Sequence, residues 1–202
     1  MNSKNVGKLI IISSPSGGGK DAVINALIKI FPESTRLITT TSRPKRPGNK
    51  EGIDYYFISQ DDFKNKINNG DFVEYNIYSS NYYGTQKKHL EEKLMNNKIV
   101  LSQLEVNGKH NLDKLHVPHL SIYLLPENLD ILQNRIQRRG GLTAGQIKER
   151  MRIAELEIKE SEDYDFRIIN KEGRIQETID KIAEIIQNKL LHQYEGLTKK
   201  HK

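Results

Sequence analysis

The run Lys8-Leu9-Ile10-Ile11-Ile12-Ser13, followed at once by Ser14-Pro15-Ser16-Gly17-Gly18-Gly19-Lys20, constrains this chain more than any other feature. Four consecutive large aliphatic residues leave no polar face, so the run is predicted to be a strand buried on both sides, as in a parallel sheet. The glycines that follow allow a tight turn in which successive backbone N–H groups converge. Val23, Leu27 and Ile30 then fall on one face of a predicted helix. That helix would present its positive end to the same point, where Lys20 adds a full charge. Strand, glycine turn and helix make a cradle for nucleotide phosphates, and Ser16, Gly17, Gly18, Gly19, Lys20, Asp21 and Ala22 are expected to line it. The pattern G-x-x-x-x-G-K-[ST] is met only in part. Ser14 stands in place of the first glycine and Asp21 in place of the hydroxyl residue. Asp21 is expected to serve a Mg2+ ion directly or through water. Repulsion of the phosphates and a favourable anion in the helix's first turn are the alternatives.

The rest of the chain repeats the strand-then-helix rhythm. Apolar runs recur at 98–101, 120–125 and 166–169, and Ile175, Ile179, Ile182, Ile186 and Leu190 form the stripe of a long last helix. This predicts an α/β fold around a parallel sheet. Two segments interrupt it. Residues 39–86 hold six of the nine tyrosines and short alternating stretches such as Phe72-Val73-Glu74-Tyr75, which predicts a small mixed insertion. Residues 129–157 are rich in arginine, with Gly140-Gly141 as a hinge beside helices. The expected division is a core of 1–38, 87–128 and 158–195, the two interruptions, and a disordered basic tail at 196–202.

Composition narrows the setting. The chain has 202 residues, 36% hydrophobic and 29% charged, which suits one domain with a proper core. It has no cysteine, hence neither disulfides nor thiolate metal sites, and no apolar run near the ~18 residues of a membrane span. The first residues lack the long apolar stretch of a secretory signal, so a cytoplasmic protein is expected. The six histidines have no metal-binding spacing and read as packing or surface residues. The net charge of +6 could serve nucleic acid, a membrane or a small polyanion, and it does not decide among them.

Beyond the phosphate loop, the segment Thr39-Thr40-Thr41-Ser42-Arg43-Pro44-Lys45-Arg46-Pro47-Gly48, then Gly52-Ile53-Asp54-Tyr55, resembles the S-x-T-T-R-x-x-R-x-G…G-x-D-Y signature of guanylate kinases. Phe72-Val73-Glu74 and Asn81-Tyr82-Tyr83-Gly84-Thr85 resemble that family's F-x-E and x-Y-Y-G-[ST] elements, and the likeness spans about residues 8 to 190. The resemblance implies a P-loop nucleoside monophosphate kinase fold: a parallel-sheet core, a GMP-binding insertion and an arginine-bearing helical lid. It implies transfer of the γ-phosphoryl of ATP to GMP, with Mg2+, in purine metabolism. It implies that Arg43, Arg46, Tyr55 and Tyr83 hold the phosphate of GMP, and that Thr39, Glu74 and Thr85 recognise guanine, joined by Glu105. The chemistry is consistent, because an ionised Glu74 could accept from guanine N1–H and the 2-amino group, whereas adenine offers no such pair of donors.

On the ATP side, Arg135, Arg139 and Gly140 match the family's R-x-x-G-R-G lid, with Arg138 in place of its first glycine. The resemblance implies that Arg135, Arg139 and Arg150 close over ATP and, with Lys20 and Arg43, steady the phosphoryl group in flight. Asn170 matches a strand-end asparagine that meets adenine, although Lys171 follows where the family has Asp. A further departure lies at Gln103-Leu104-Glu105-Val106-Asn107-Gly108, where the family has D-x-D-x-Q-G. Glu105 keeps the second charge and Gln103 loses the first. One acid is thus expected to have moved from the strand end to the loop, at Asp21. The expected partners are ATP and GMP, with dGMP open, and neither nucleic acid nor a membrane, in a monomer or homodimer. The alternatives are a non-catalytic binding module of the same shape, a kinase for another small phosphorylated substrate, and a nucleic-acid-binding protein.

Overall fold

The structure, a computed structural model, describes residues 6–78, 80–138 and 140–198, without the side chains of Tyr78 and residues 191–198. Strand β1 (Lys8–Ser13) is the centre of a five-stranded parallel sheet. Its neighbours are β7 (Ile99–Ser102) and β8 (Leu120–Pro126), with β2 (Ser34–Arg36) and β9 (Phe166–Asn170) at the edges. Ile10 pairs with Leu101 on one side and Leu120 on the other. Successive residues of a strand face opposite ways, and here both faces are covered. Ile10 and Ile12 pack with Ile24 and Leu27 of α1 (Lys20–Ile30) and Ile182 and Ile186 of α7 (Ile175–Thr198). Leu9 and Ile11 pack with Leu90 of α3 (Lys87–Asn96) and Leu112 of α4 (Val106–Lys114). Each buried aliphatic side chain stabilises by about 1.5–3 kcal/mol, so β1 is a firm anchor for the loop at its end.

The predicted strands and the last helix are present, with two differences. Ile30 was expected on the buried face of α1 but is 40% exposed, and Ile24 is buried instead. The cause is that α1 lies against α7 as well as the sheet, which turns its apolar face toward Ile24. Helix α7 continues through Thr198, past the expected end of the core at residue 195, and residues 199–202 lie outside the described residues. Among the described residues, no helix is long and apolar enough to cross a membrane.

The segment after β2 forms a second sheet from β3 (Thr40–Thr41), β4 (Tyr56–Phe57), β5 (Phe72–Tyr78) and β6 (Asn81–Gln86), in the order β4-β3-β6-β5. Only β3 and β4 run parallel. Helix α2 (Gln60–Asn68) covers it through Phe63, which is fully buried and stacks on Phe72 with centroids 4.2 Å apart. In a regular strand Phe72 and Glu74 would share a face. An irregularity between them sets Phe72 opposite Gln86 and Glu74 opposite Thr85, adjacent residues that face opposite ways. Phe72 therefore packs on Phe63 while Glu74 is released toward the cleft.

Helices α5 (Leu129–Arg138) and α6 (Ala144–Glu160) form the remaining layer and bury Leu132, Ile136 and Ala154 between them. Gly140 and Gly141 sit at φ +67° and +73°, a left-handed turn that side chains disfavour. Helix α6 then starts with a capping box, in which the Thr143 hydroxyl accepts from the Gln146 N–H and Gln146 reaches back to the Thr143 N–H.

Candidate active site

The loop leaving β1 turns through Gly17 and Gly19, both in left-handed conformations at φ +89° and +93°. Gly18 is needed for room, because a Cβ there would come within 2.5 Å of the Ser14 side chain. Lys20 opens α1, and its ammonium donates to the Ser14 carbonyl at 3.3 Å. From β9, Asn170 donates to the Gly18 carbonyl at 3.0 Å and its Oδ1 accepts from the Thr178 hydroxyl at 3.1 Å. Arg150 on α6 reaches across to donate to the Ser16 hydroxyl at 3.0 Å. Two distant stretches of chain thus hold one glycine loop at the C-terminal ends of the strands, where open parallel sheets bind ligands.

Two adjoining clefts meet at this loop. The larger, about 660 Å3, is lined by Ser16 to Ala22, Arg150 and Glu157. The smaller, about 300 Å3, is lined by Thr39, Tyr55, Glu74, Tyr83 and Glu105. Lys20, Asp21, Asn76 and Glu105 line both, so the clefts open onto each other at three charged residues and one amide. These volumes suit small ligands such as nucleotides.

The smaller cleft is organised around a buried acid. Glu74 is 6% exposed, and its Oε1 accepts from the Thr85 hydroxyl at 2.7 Å. Burial pushes its carboxyl up to about 7; the bonds from Thr85 oppose this and the charge of Glu105 adds to it. Gly108 lets the carboxylate in, since a Cβ there would meet Glu74 Oε2 at 3.1 Å. Tyr55 and Tyr83 meet edge to face at 5.9 Å. The Arg43 guanidinium lies 5.5 Å from the Tyr55 ring centre and donates to Asn49 Oδ1 and the Pro44 carbonyl.

The expected site residues are not all gathered equally. Thr39, Tyr55, Glu74, Tyr83 and Glu105 line the smaller cleft, and Thr85 stands behind Glu74. Arg43 and Arg46 lie on the loop beside it, bound to Asn49, and neither lines the cleft. Asn170 braces the loop from beneath instead of facing the larger cleft. Arg150 lines that cleft, whereas Arg135 turns away to Glu172 Oε2 at 2.6 Å and the Asn170 carbonyl at 3.2 Å. Arg139 lies outside the described residues. The Asp21 carboxylate, expected to serve a metal, accepts from Arg36 at 2.6 Å. No group of three or more His, Cys, Asp or Glu side chains that could hold a metal occurs among the described residues.

Three residues escaped the sequence reading. Asn76 donates to Glu105 Oε2 at 3.0 Å; it stands two residues after Glu74 on β5, a period-two signal that was available. Glu157 shares the larger cleft with Arg150, seven residues or two helical turns away, and burial followed by the charge of Glu105 pushes its carboxyl up to about 7. Arg36 carried no local signal.

Residues 6–189 match the model for Guanylate kinase. The chain is 37% identical over 188 residues to the guanylate kinase of Latilactobacillus sakei, covering 93% of this chain and 92% of that protein. It is 38% identical over 182 residues to that of Lactobacillus acidophilus, covering 89% and 88%. The crystal structure of guanylate kinase from Anaplasma phagocytophilum superposes with a TM-score of 0.72 at 29% identity, over 92% of this chain and 87% of that one. With a phosphate loop and a buried-acid cleft opening onto each other, and likeness along nearly its whole length, the chain belongs to the guanylate kinase family, whose members transfer a phosphoryl group from ATP to GMP.

Proposed function

We propose that the two clefts hold ATP and GMP end to end, with ATP on the phosphate loop and GMP around Glu74. The observation that carries this reading is the shared boundary of Lys20, Asp21, Asn76 and Glu105, where a triphosphate in one cleft would meet a monophosphate in the other. Ionised Glu74 accepts from guanine N1–H and the 2-amino group, with Thr39 and Thr85 beside it and Glu105 on the facing side. Arg43, Arg46, Tyr55 and Tyr83 grip the GMP phosphate; forked arginine donors suit phosphate oxygens. An oxygen of that phosphate attacks the γ-phosphorus in line, the bond to the β-phosphate oxygen breaks, and ADP and GDP result. The attacking oxygen is already ionised, so no general base is required. Lys20 and Arg150 offset the charge in flight, and Arg135 and Arg139 join them once residues 129–157 close as a lid over the core and the 39–86 insertion.

Mg2+ enters this reading as part of the ATP complex, held by phosphate oxygens and water. The chain's own donors do not make a cage for it, because Asp21 is engaged by Arg36 and, among the described residues, no three His, Cys, Asp or Glu side chains are grouped so as to hold a metal. All of these residues lie on one chain, so the reaction needs one copy, as a monomer or within a homodimer, and we assign it to the cytoplasm.

The test is ADP formation from Mg2+–ATP with GMP, dGMP, AMP, CMP and UMP in turn. Turnover with GMP, with or without dGMP, and none with the others is expected. Equal turnover with AMP would remove Glu74 as the base reader, and no turnover in folded protein would favour a binding module.

A further inference from the structure

Asp21 and Gln103 are two of the positions at which this chain departs from the expected charge pattern, and one side chain joins them. Arg36, the last residue of β2, donates from the same Nη2 to Asp21 Oδ1 at 2.6 Å and to Gln103 Oε1 at 2.8 Å. Asp21 and Gln103 both line the smaller cleft, and Asp21 lines the larger one too. The arginine side chain is 25% exposed and the aspartate 65%, so the pair faces the place where the two ligands meet. Burial, with Tyr83, raises the Tyr55 hydroxyl above its ordinary value, and among the smaller influences Asp21 and Arg36 act on it in opposite directions, as an ion pair would.

A carboxylate one residue after Lys20 is an odd neighbour for a triphosphate. The positive end of α1 favours it when the loop is empty. Once ATP is bound, the same anion repels the phosphates at short range in a partly desolvated cleft. A paired arginine removes that repulsion, and an amide at Gln103 can share the arginine where a second carboxylate would compete for it. We propose that Arg36 is a positioning residue that neutralises Asp21, so that the phosphate loop tolerates an acid where the phosphate-loop pattern has a hydroxyl residue. Asp21 then acts through Arg36 and not as a metal ligand. This rests on reading the loop as the ATP site.

Net charge at the pair sets the expected order of ATP affinity. The parent pair is neutral, Arg36→Gln leaves one negative charge, Asp21→Asn leaves one positive charge, and the double variant is neutral again. Calorimetric titration of ATP into each folded variant, with Mg2+ and with a chelator, is expected to show Arg36→Gln weakened about tenfold and Asp21→Asn tightened about threefold. The double variant should return to within about twofold of the parent, and the spread should shrink at high salt. Melting curves establish that each variant is folded; Arg36→Lys, which keeps the charge, should bind close to the parent. A weakened Arg36→Gln that Asp21→Asn does not rescue would overturn the proposal, since Arg36 would then act on ATP or the strand by itself. Loss of binding in both Asp21 variants with Mg2+ but not with chelator would also overturn it, in favour of a metal ligand. Failure of the parent to bind ATP at all would instead sink the reading of the loop.

Discussion

The two halves of the proposed site are built by different means. The phosphate loop is a backbone site. Its N–H groups are aimed by Gly17 and Gly19, and its stiffness comes from β1, whose residues Leu9 to Ile12 are at most 2% exposed. The smaller cleft is a side-chain site. Its sheet has two strands of only two residues each, and it depends on the stacked Phe63, Phe72 and Tyr82 and on one buried acid. A backbone site reads charge and leaves base identity to others. A side-chain site can read a base, at the cost of holding a carboxyl that prefers to stay protonated until donors arrive.

The sharpest way to separate the halves is Phe63→Ala. Removing this fully buried ring is expected to destabilise by about 3–5 kcal/mol, by lost burial and the cavity left. Denaturant unfolding would measure it, and GMP binding should fall while ATP binding holds. Equal loss of both would mean that the two sheets do not act separately.

Glu74→Gln tests the buried acid itself. Turnover per unit GMP should drop about a hundredfold, the loss of a charged hydrogen-bond acceptor worth about 2–3 kcal/mol. Stability should move the other way. The folded carboxyl titrates near 7, above its ordinary 4.5, so its contribution is fully present below pH 4.5 and is lost as pH rises through about 7. Glutamine does not titrate. The variant should therefore gain stability relative to the parent between pH 5 and pH 8, as melting temperatures would show. In the same window the parent's affinity for GMP should rise with pH more steeply than that of the variant.

The smallest effect is expected at the lid. Glu172→Gln weakens an exposed pair with Arg135 and Arg138, and such pairs contribute about 0.2–1 kcal/mol. Stability should barely change, while ATP binding should tighten slightly if releasing Arg135 lets it turn to the phosphates. Weaker ATP binding would mean that the arginine braces Asn170 and the loop.

Legibility followed the same divide. The β1 run and glycine loop were readable because continuous apolar residues, left-handed glycines and a helix start are local demands on neighbouring residues. Glu74 and Thr85 were readable through resemblance, yet periodicity alone would have set Glu74 on the face of Phe72, and only the irregularity in β5 turns it to the cleft. Arg135 was readable as a lid arginine through resemblance, but which acid it meets depends on the loop after β9, thirty-seven residues away.

By itself the sequence determined the parallel core, the glycine loop at the end of its first strand, and the acids and bases available to the site, because each rests on a pattern within one short stretch. The tertiary structure decided the pairings: Arg36 with Asp21 and Gln103, Asn76 with Glu105, and Arg150 with Ser16. Charges far apart in the chain find partners only once the sheets and helices have set their distances. Their interaction falls with separation and with water between them, which is a property of the folded arrangement.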